Sequence, residues 1–178
     1  MRPLTLILLG SLGLLTLGDR GTAQEKGVTV QEVKYAGLQD LVLKNRGKVV
    51  VVDFWATNCF PCIRNFPHML ETQKKYGKDG LVSISVSLDK AEKDETQAQM
   101  KGRVVKLLEK LGATTITNVI LDEPQKLVVE KLRIRSIPCV YVFNRQGKWT
   151  KFGGGGGDDD VVKPPEVEKL VVELLQEK

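Results

Sequence analysis

The chain has 178 residues, a formal net charge of +5 and 42% hydrophobic residues. A chain of this length can bury one core without structural disulfides, and its composition is ordinary for a soluble globular protein. Only 6% of the residues are aromatic, and the basic and acidic residues are interspersed. Nucleic-acid binding needs a concentrated basic stripe with stacking aromatic side chains. We therefore expect a single globular domain and no nucleic-acid partner.

The N-terminal residues resemble a secretory signal peptide. Arg2 supplies a positive charge, residues 4–17 are apolar and uncharged, and Gly21 and Ala23 put small residues where a signal peptidase requires them. A membrane-spanning helix would need roughly 20 apolar residues. We expect residues 1–23 to be cleaved, leaving residues 24–178 as the mature domain of an exported, periplasmic or otherwise extracytoplasmic protein. Attachment to a membrane is expected only if the segment remains uncleaved.

Predicted strands and helices alternate through the rest of the chain. In chain order we predict a short strand at 28–33, a helix at 37–45, a strand at 48–55, a helix at 59–76, a strand at 81–87, a helix at 94–111, a strand at 117–121, a helix at 124–132, a hairpin of strands 138–143 and 148–152, and a helix at 164–176. Four consecutive valines in the strand 48–55 are typical of a strand buried on both faces. The alternation predicts an α/β fold with a central mixed sheet flanked by helices on both faces. Residues 153–160 (GGGGGDDD) predict a flexible loop before the last helix.

The three cysteines are the main candidates for chemistry. Cys59, Cys62 and Cys139 are an odd number, which does not suit a framework of structural disulfides. The spacing of Cys59 and Cys62 permits a reversible redox pair, half of a metal site or a permanent disulfide. Export would place the pair in a compartment where disulfides form and persist.

The position of Cys59 favours nucleophilic chemistry. It follows a predicted buried strand and opens a helix. The first N–H groups of a helix lack partners, and the helix dipole places partial positive charge there, so a thiolate at this point is stabilised. Cys62 lies one turn further along the helix on the same face and can reach the Cys59 sulfur. This arrangement suits an attacking Cys59 and a resolving Cys62.

Asp53 is the third candidate. It is the only charged residue in the run 49–55, where a buried carboxylate is costly unless it has a use. We expect the turn from strand to helix to bring Asp53 beneath the cysteine pair, where it would accept the proton of Cys62. The alternative is a carboxylate that reaches water or caps the end of the strand.

Taken together, these residues resemble the active-site segment of thioredoxin-like proteins. The shared features are a strand with Asp53, the sequence FWA, the CxxC pair and Pro67 in the following helix. Downstream, the sequence RSIP, which ends at Pro138, and the apolar strand after it are similar to the cis-proline loop of the family. The signal peptide and the insertion at about 88–116 are similar to the extracytoplasmic TlpA/ResA-like members.

The resemblance implies a thioredoxin fold and thiol–disulfide exchange. The partners would be protein disulfide or dithiol substrates and a redox partner protein, and no cofactor or metal is expected at the pair. The backbone of Ile137, before a cis Pro138, would pair with an extended substrate segment. The same surface would include four residues around the pair: Trp55, Asn58, Phe60 and Pro61.

Two departures from the family pattern lie beside Cys59. Asn58 occupies the position that usually carries an aromatic residue, which alters the docking surface for substrates. Phe60 and Pro61 bring no basic group between the cysteines, which indicates a reducing or intermediate redox potential for the pair. Because a difference of about 30 mV corresponds to only 1.4 kcal/mol, a small change elsewhere in the site could reverse this ranking.

Two other functions remain open from the sequence. Cys139 follows Pro138 and could join Cys59 and Cys62 in a three-thiolate site for a soft metal, although a buried strand residue is the plainer interpretation. The single histidine, His68, is expected to face solvent on its helix. A binding domain with a permanent Cys59–Cys62 disulfide is the other alternative. Peroxiredoxin-type peroxidase chemistry would need a Thr-x-x-Cys motif, which this sequence lacks.

Overall fold

The computed structural model describes residues 27–157 and 161–177. The predicted signal peptide and Asp158–Asp160 lie outside the described residues. The strands are β1 Val30–Val33, β2 Val49–Trp55, β3 Leu81–Ser87, β4 Thr117–Leu121, β5 Cys139–Phe143 and β6 Trp149–Gly153. The helices are α1 Tyr35–Leu43, α2 Phe60–Tyr76, α3 Gln97–Leu111, α4 Gln125–Leu132 and α5 Pro164–Gln176, with a short 3₁₀ turn at Gly77–Asp79.

The strands form one mixed sheet in the order β1-β4-β3-β2-β5-β6. The pairs β1–β4, β4–β3 and β3–β2 are parallel, whereas β5 runs antiparallel to β2 and β6 antiparallel to β5. The predicted α/β class and mixed sheet are confirmed.

Helices cover both faces of the sheet, and β2 is buried at all seven positions. Its side chains at positions 50, 52 and 54 pack in a cluster with Leu38 of α1 and Val128 of α4. On the opposite face, Trp55 packs with residues of α2 and α3, and positions 49 and 51 pack with residues of α5. The valine run therefore forms a central strand whose alternate side chains enter different apolar clusters.

The active-site segment lies at the end of β2. The residues between Trp55 and Phe60 connect β2 to α2 at the carboxyl edge of the parallel strands, where α/β proteins commonly place their sites. Phe54 pairs with Cys139 in the β2–β5 register. This pairing brings the loop before β5, which contains Ile137 and Pro138, to the same edge as Cys59.

Among the helices of the described residues, none combines the length and apolar character that crossing a membrane requires.

Candidate active site

Cys59 and Cys62 form a disulfide at the start of α2. The S–S distance is 2.01 Å and the Cα atoms are 5.3 Å apart. Cys59 is the N-cap residue, and its Sγ accepts a hydrogen bond from the N–H of Cys62 at 3.3 Å. Because that N–H is one of the unpaired donors of the first helical turn, the sulfur of Cys59 lies where a helix stabilises negative charge.

The two sulfur-bearing residues differ in their access to solvent. Cys59 is 8% exposed, whereas Cys62, in the first turn of α2, is 1% exposed and packs in the core. An incoming thiol or disulfide therefore reaches Cys59 first.

Asp53 is buried on the α2 side of the sheet. Burial raises the pKa of its carboxyl to about 7, because removal from water penalises the charged form. Asp53 lines a cavity of about 40 Å³ together with Asn65, His68 and Thr72 of α2. A space of this size has room for a water molecule beside the carboxyl group. His68 is exposed at its rim, as expected from the sequence.

The peptide bond between Ile137 and Pro138 is cis, as the resemblance implied. Two glycines, the last residue of β6 and the residue after it, pack against this loop. The N–H of Arg135 donates to the carbonyl oxygen of Gly154 at 2.8 Å. Gly153 has a φ of +70°, and a Cβ placed on it would lie 2.6 Å from the carbonyl oxygen of Pro138. Only glycine allows this close approach of the two backbones.

The residues expected around the pair do not all reach the surface. Asn58, Phe60 and Pro61 are exposed, and Phe60 is 73% exposed. Trp55 is fully buried, so the expectation that it contacts substrate is wrong. Its ring packs edge-to-face on Phe66 at a centroid distance of 5.3 Å, and its Nε1–H donates to Ser85 at 2.8 Å. Trp55 therefore packs in the core beneath the loop that joins β2 to α2.

A polar network that the sequence pattern does not predict fixes the residues just before Cys59. The buried carboxylate of Asp89 accepts hydrogen bonds from the N–H of Thr57 at 3.0 Å and from the hydroxyl of Ser87 at 2.8 Å. Arg103 of α3 forms ion pairs with Asp89 at 2.6 Å and with Glu95 at 2.9 Å, and its guanidinium also contacts the Thr57 hydroxyl. The insertion between β3 and β4 therefore holds the active-site loop in place.

One signal of this network was present in the sequence. Asp89 stands two residues past the end of a parallel strand, an edge where functional polar groups gather. Its partner, Arg103, could not be chosen from the several basic residues of the insertion without knowing how α3 is placed.

Cys139 lies on the other side of the sheet from the disulfide. It is fully buried in the cluster beneath α1 and α4, whereas Cys59 and Cys62 belong to the cluster beneath α2 and α3. The three sulfurs therefore do not converge on a metal site. Within the described ranges, no three His, Cys, Asp or Glu side chains are grouped so that they could hold a metal ion.

The AhpC/TSA family model matches residues 22–151 of this chain. The chain belongs to the AhpC/TSA family. Similar proteins include the thiol-disulfide oxidoreductase ResA of Geobacillus thermodenitrificans, 27% identical over 82% of this chain and 80% of ResA. The thioredoxin-like protein YneN of Bacillus subtilis is 33% identical over 52% of this chain, a match that spans only 62% of YneN.

A solved structure agrees with this assignment. The thioredoxin domain of a thiol-disulfide oxidoreductase from Bacteroides vulgatus superposes with a TM-score of 0.54 and is 27% identical, covering 72% of this chain and 83% of that domain. The thioredoxin-like fold and the TlpA/ResA-like resemblance are confirmed. Within the AhpC/TSA family, the enzyme class that the relatives support is thiol–disulfide oxidoreductase, as predicted.

Proposed function

We propose that this AhpC/TSA-family protein is an exported oxidoreductase that exchanges disulfides with protein substrates through Cys59 and Cys62. The observation that carries this proposal is the disulfide itself, with Cys59 at the N-cap of α2 and its sulfur on the N–H of Cys62. A permanent structural disulfide does not need its outer sulfur at a helix N-terminus beside a cis-proline loop.

The first step uses the reduced pair. The Cys59 thiolate attacks one sulfur of a substrate disulfide, forming a mixed disulfide and releasing the other substrate sulfur as a thiolate. The N–H of Cys62 and the other donors of the first turn of α2 stabilise the attacking thiolate.

In the second step, Cys62 resolves the mixed disulfide. Its thiol gives a proton to the carboxylate of Asp53, and the resulting thiolate attacks Cys59, which re-forms the intramolecular disulfide and releases the second substrate thiolate. The substrate disulfide is thereby reduced and the Cys59–Cys62 pair oxidised. The pKa of about 7 for Asp53 suits this role, since a group that titrates near ambient pH both accepts and returns a proton. The reverse sequence of steps would oxidise a dithiol.

Substrate would bind at the edge where Cys59 and the cis-proline loop meet. The backbone of Ile137, held by the cis bond to Pro138, would pair with an extended substrate segment. The exposed side chains of Asn58, Phe60 and Pro61 would provide the surrounding contacts. An exposed aromatic ring such as Phe60 offers apolar area to a partner at little entropic cost.

The location is proposed from the N-terminal sequence. Residues 1–23 would act as a cleaved signal peptide, with residues 24–178 as the mature domain, because a positive residue, an apolar run and small residues follow in that order. In an extracytoplasmic compartment, a redox partner protein would return the pair to its starting state after each exchange.

The test is insulin reduction with dithiothreitol as the electron source. Cys59→Ser is expected to lower the rate to that of dithiothreitol alone, whereas the matched control Cys139→Ser, which changes the buried sulfur on the opposite face, retains the rate of the unchanged protein. In a separate reaction, Cys62→Ser that has been reduced and freed of dithiothreitol is expected to accumulate a mixed disulfide between Cys59 and insulin, visible by mass spectrometry. An unchanged rate in Cys59→Ser would overturn the proposal.

A further inference from the structure

An apolar groove lies on the face of the sheet opposite the cysteine pair, between α1, the end of α4 and the β5–β6 hairpin. Its volume is about 360 Å³, near the lower end of the range of roughly 300–1,000 Å³ that is typical of small-molecule sites. Val50, Val52 and Phe54 form its floor along β2, and Leu38 and Val42 of α1 form one wall. The floor extends over four residue steps of a strand, roughly 13 Å.

Part of the groove is lined by aromatic side chains that pack against one another. Tyr141 packs edge-to-face against Phe54 and Trp149, with centroid distances of 5.9 and 5.0 Å, and stacks on Phe143 at 6.2 Å. The hydroxyl of Tyr141 donates to the carbonyl oxygen of Leu132 at the end of α4. These contacts fix the position of α4 against the floor, so the groove is formed without a ligand. Trp149 remains 49% exposed.

The charged residues that line the groove all have the same sign: Arg46, Lys48, Lys131 and Arg133. No Asp or Glu is among the described residues lining it. Across residues 27–157 and 161–177, none of the four cations takes part in a salt bridge. The groove therefore combines an apolar floor with uncompensated positive charge, which favours an anion that also has an apolar body.

Arg133 is held in an unusual conformation beside the groove. Its φ is +55°, the only positive value at a residue other than glycine in the described part of the chain, and it caps the C-terminus of α4. Glycine is the usual residue at such a cap, since a side chain is strained there. The Nζ of Lys151 donates to the carbonyl oxygen of Arg133 at 3.1 Å and supports this conformation. The chain thus retains a cationic side chain at a position where glycine would be easier to accommodate.

We propose that this groove binds an amphipathic carboxylate with an unbranched alkyl chain. The chain would lie along the floor from Val50 to Phe54, and the carboxylate would be held at the rim by Arg133 and Lys131, with Arg46 and Lys48 adding to the positive potential. Guanidinium and ammonium groups bind carboxylates through charge-assisted hydrogen bonds. The volume accommodates one such molecule and is small for a folded protein segment. The site is distinct from the disulfide, which lies across the sheet.

The experiment uses the full chain and sodium decanoate below its micellar concentration, with the fluorescence of Trp149 as the signal. Decanoate is expected to cause a saturable change that Trp149→Phe abolishes, because the other tryptophan, Trp55, is fully buried on the opposite face. Decanol, which has the same chain length and no charge, is expected to bind at least tenfold more weakly. Inorganic phosphate, an anion without an apolar body, is expected to give no saturable change.

Charge variants test the rim, with calorimetry as a second readout. Lys131→Gln combined with Arg133→Asn is expected to weaken decanoate binding at least tenfold, and asparagine is chosen because it tolerates a positive φ. The matched control is Lys106→Gln with Lys110→Gln on α3, which removes the same charge from exposed positions and should leave the affinity within twofold. Insulin reduction should be unchanged in both variants, which separates this site from the proposed catalytic function.

Four outcomes would overturn the proposal. The first is the absence of a saturable fluorescence response to decanoate, and the second is decanol binding as tightly as decanoate. The third is an equal loss of decanoate affinity in the two charge variants. The fourth is a Trp149 whose fluorescence is shielded from acrylamide quenching in the ligand-free chain. The last result would mean that another segment of the chain or a second copy covers the groove.

Discussion

Asp53 carries a carboxyl group that is buried in the core of the fold. The pKa of its carboxyl is raised from 3.8 to about 7 by burial, so the folded chain holds the proton more tightly than the unfolded chain. The neutral form stabilises the fold fully below pH 4. That contribution is lost as the pH rises through 7, where the buried group ionises.

Replacing Asp53 with asparagine should remove this pH dependence. We predict that Asp53→Asn, measured by denaturant unfolding of the oxidised protein, is more stable than the unchanged chain at pH 8, by up to about 4 kcal/mol. The difference should shrink as the pH falls from 7 towards 4. Asp40→Asn, which changes an exposed carboxylate on α1, should show no such trend. A constant difference between pH 4 and pH 8 would contradict the assigned cause.

Single residues differ in how far the sequence predicts their roles. The spacing of Cys59 and Cys62 and the single charge at Asp53 could be predicted to matter, because each stands out from the sequence around it. The burial of Trp55 was not visible, because β2 is covered on both faces and its last residue can turn towards the core or towards the substrate. The placement of α2 over the sheet decides between the two, and Trp55 packs beneath Phe66.

Helix α3 stabilises the active-site loop through Arg103. The Asp89 side chain is only 3% exposed, and Arg103 is its ion-pair partner. We predict that Arg103→Gln destabilises the protein by about 3 kcal/mol, because it leaves a buried carboxylate uncompensated. It should also change the alkylation rate of reduced Cys59, since Thr57 lies in the same network.

A double-mutant cycle gives the control for this prediction. Asp89→Asn removes the buried charge, so Arg103→Gln should cost much less in that background than in the unchanged chain. Lys101→Gln removes a charge from the same helix that pairs with Glu32 instead and should be nearly neutral, as exposed ion pairs usually are. Equal costs for Arg103→Gln in both backgrounds would show that the network does not couple α3 to the loop.

The glycine that backs the cis-proline loop gives a second prediction at this level. Gly153→Ala should destabilise the protein by more than about 2 kcal/mol and lower insulin reduction, because a Cβ there meets the Pro138 carbonyl oxygen at 2.6 Å and the backbone has a positive φ. Gly102 lies within α3 with nothing near its added Cβ. Gly102→Ala should therefore stabilise the protein by about 0.5–1 kcal/mol. Similar effects of the two substitutions in thermal unfolding would refute this account.

The elements themselves were predicted closely because their signals are local. Strands β3 and β4 and helix α5 begin and end where the sequence predicted. Helix α3 begins later than predicted because Thr96 and Gln99 form a capping box, in which each side chain accepts the backbone N–H of the other residue. The strand order and the pairing of β1 with β4 depend on contacts distant in sequence, and the local pattern does not contain them.

Across the whole molecule, the sheet separates two regions of different chemistry. The disulfide and the cis-proline loop lie at the carboxyl edge of β2. The apolar groove lies on the face of the sheet opposite α2, with Cys139 in the core below it. The family resemblance predicted the first region because its residues follow one another in a recognisable order. The groove could not be predicted, because its lining comes from α1, α4, β2 and the hairpin, which meet only in the folded chain.

The central claim is that Cys59–Cys62 is a reversible redox pair, and its most direct test is equilibration of the purified protein with a series of glutathione redox buffers. The fraction of oxidised pair would be read by mass spectrometry after alkylation. We predict a reversible transition that is the same from either direction, with a potential above about −300 mV. A pair that stays oxidised throughout the series, with a potential well below that value, would instead be a permanent structural disulfide and would contradict the account.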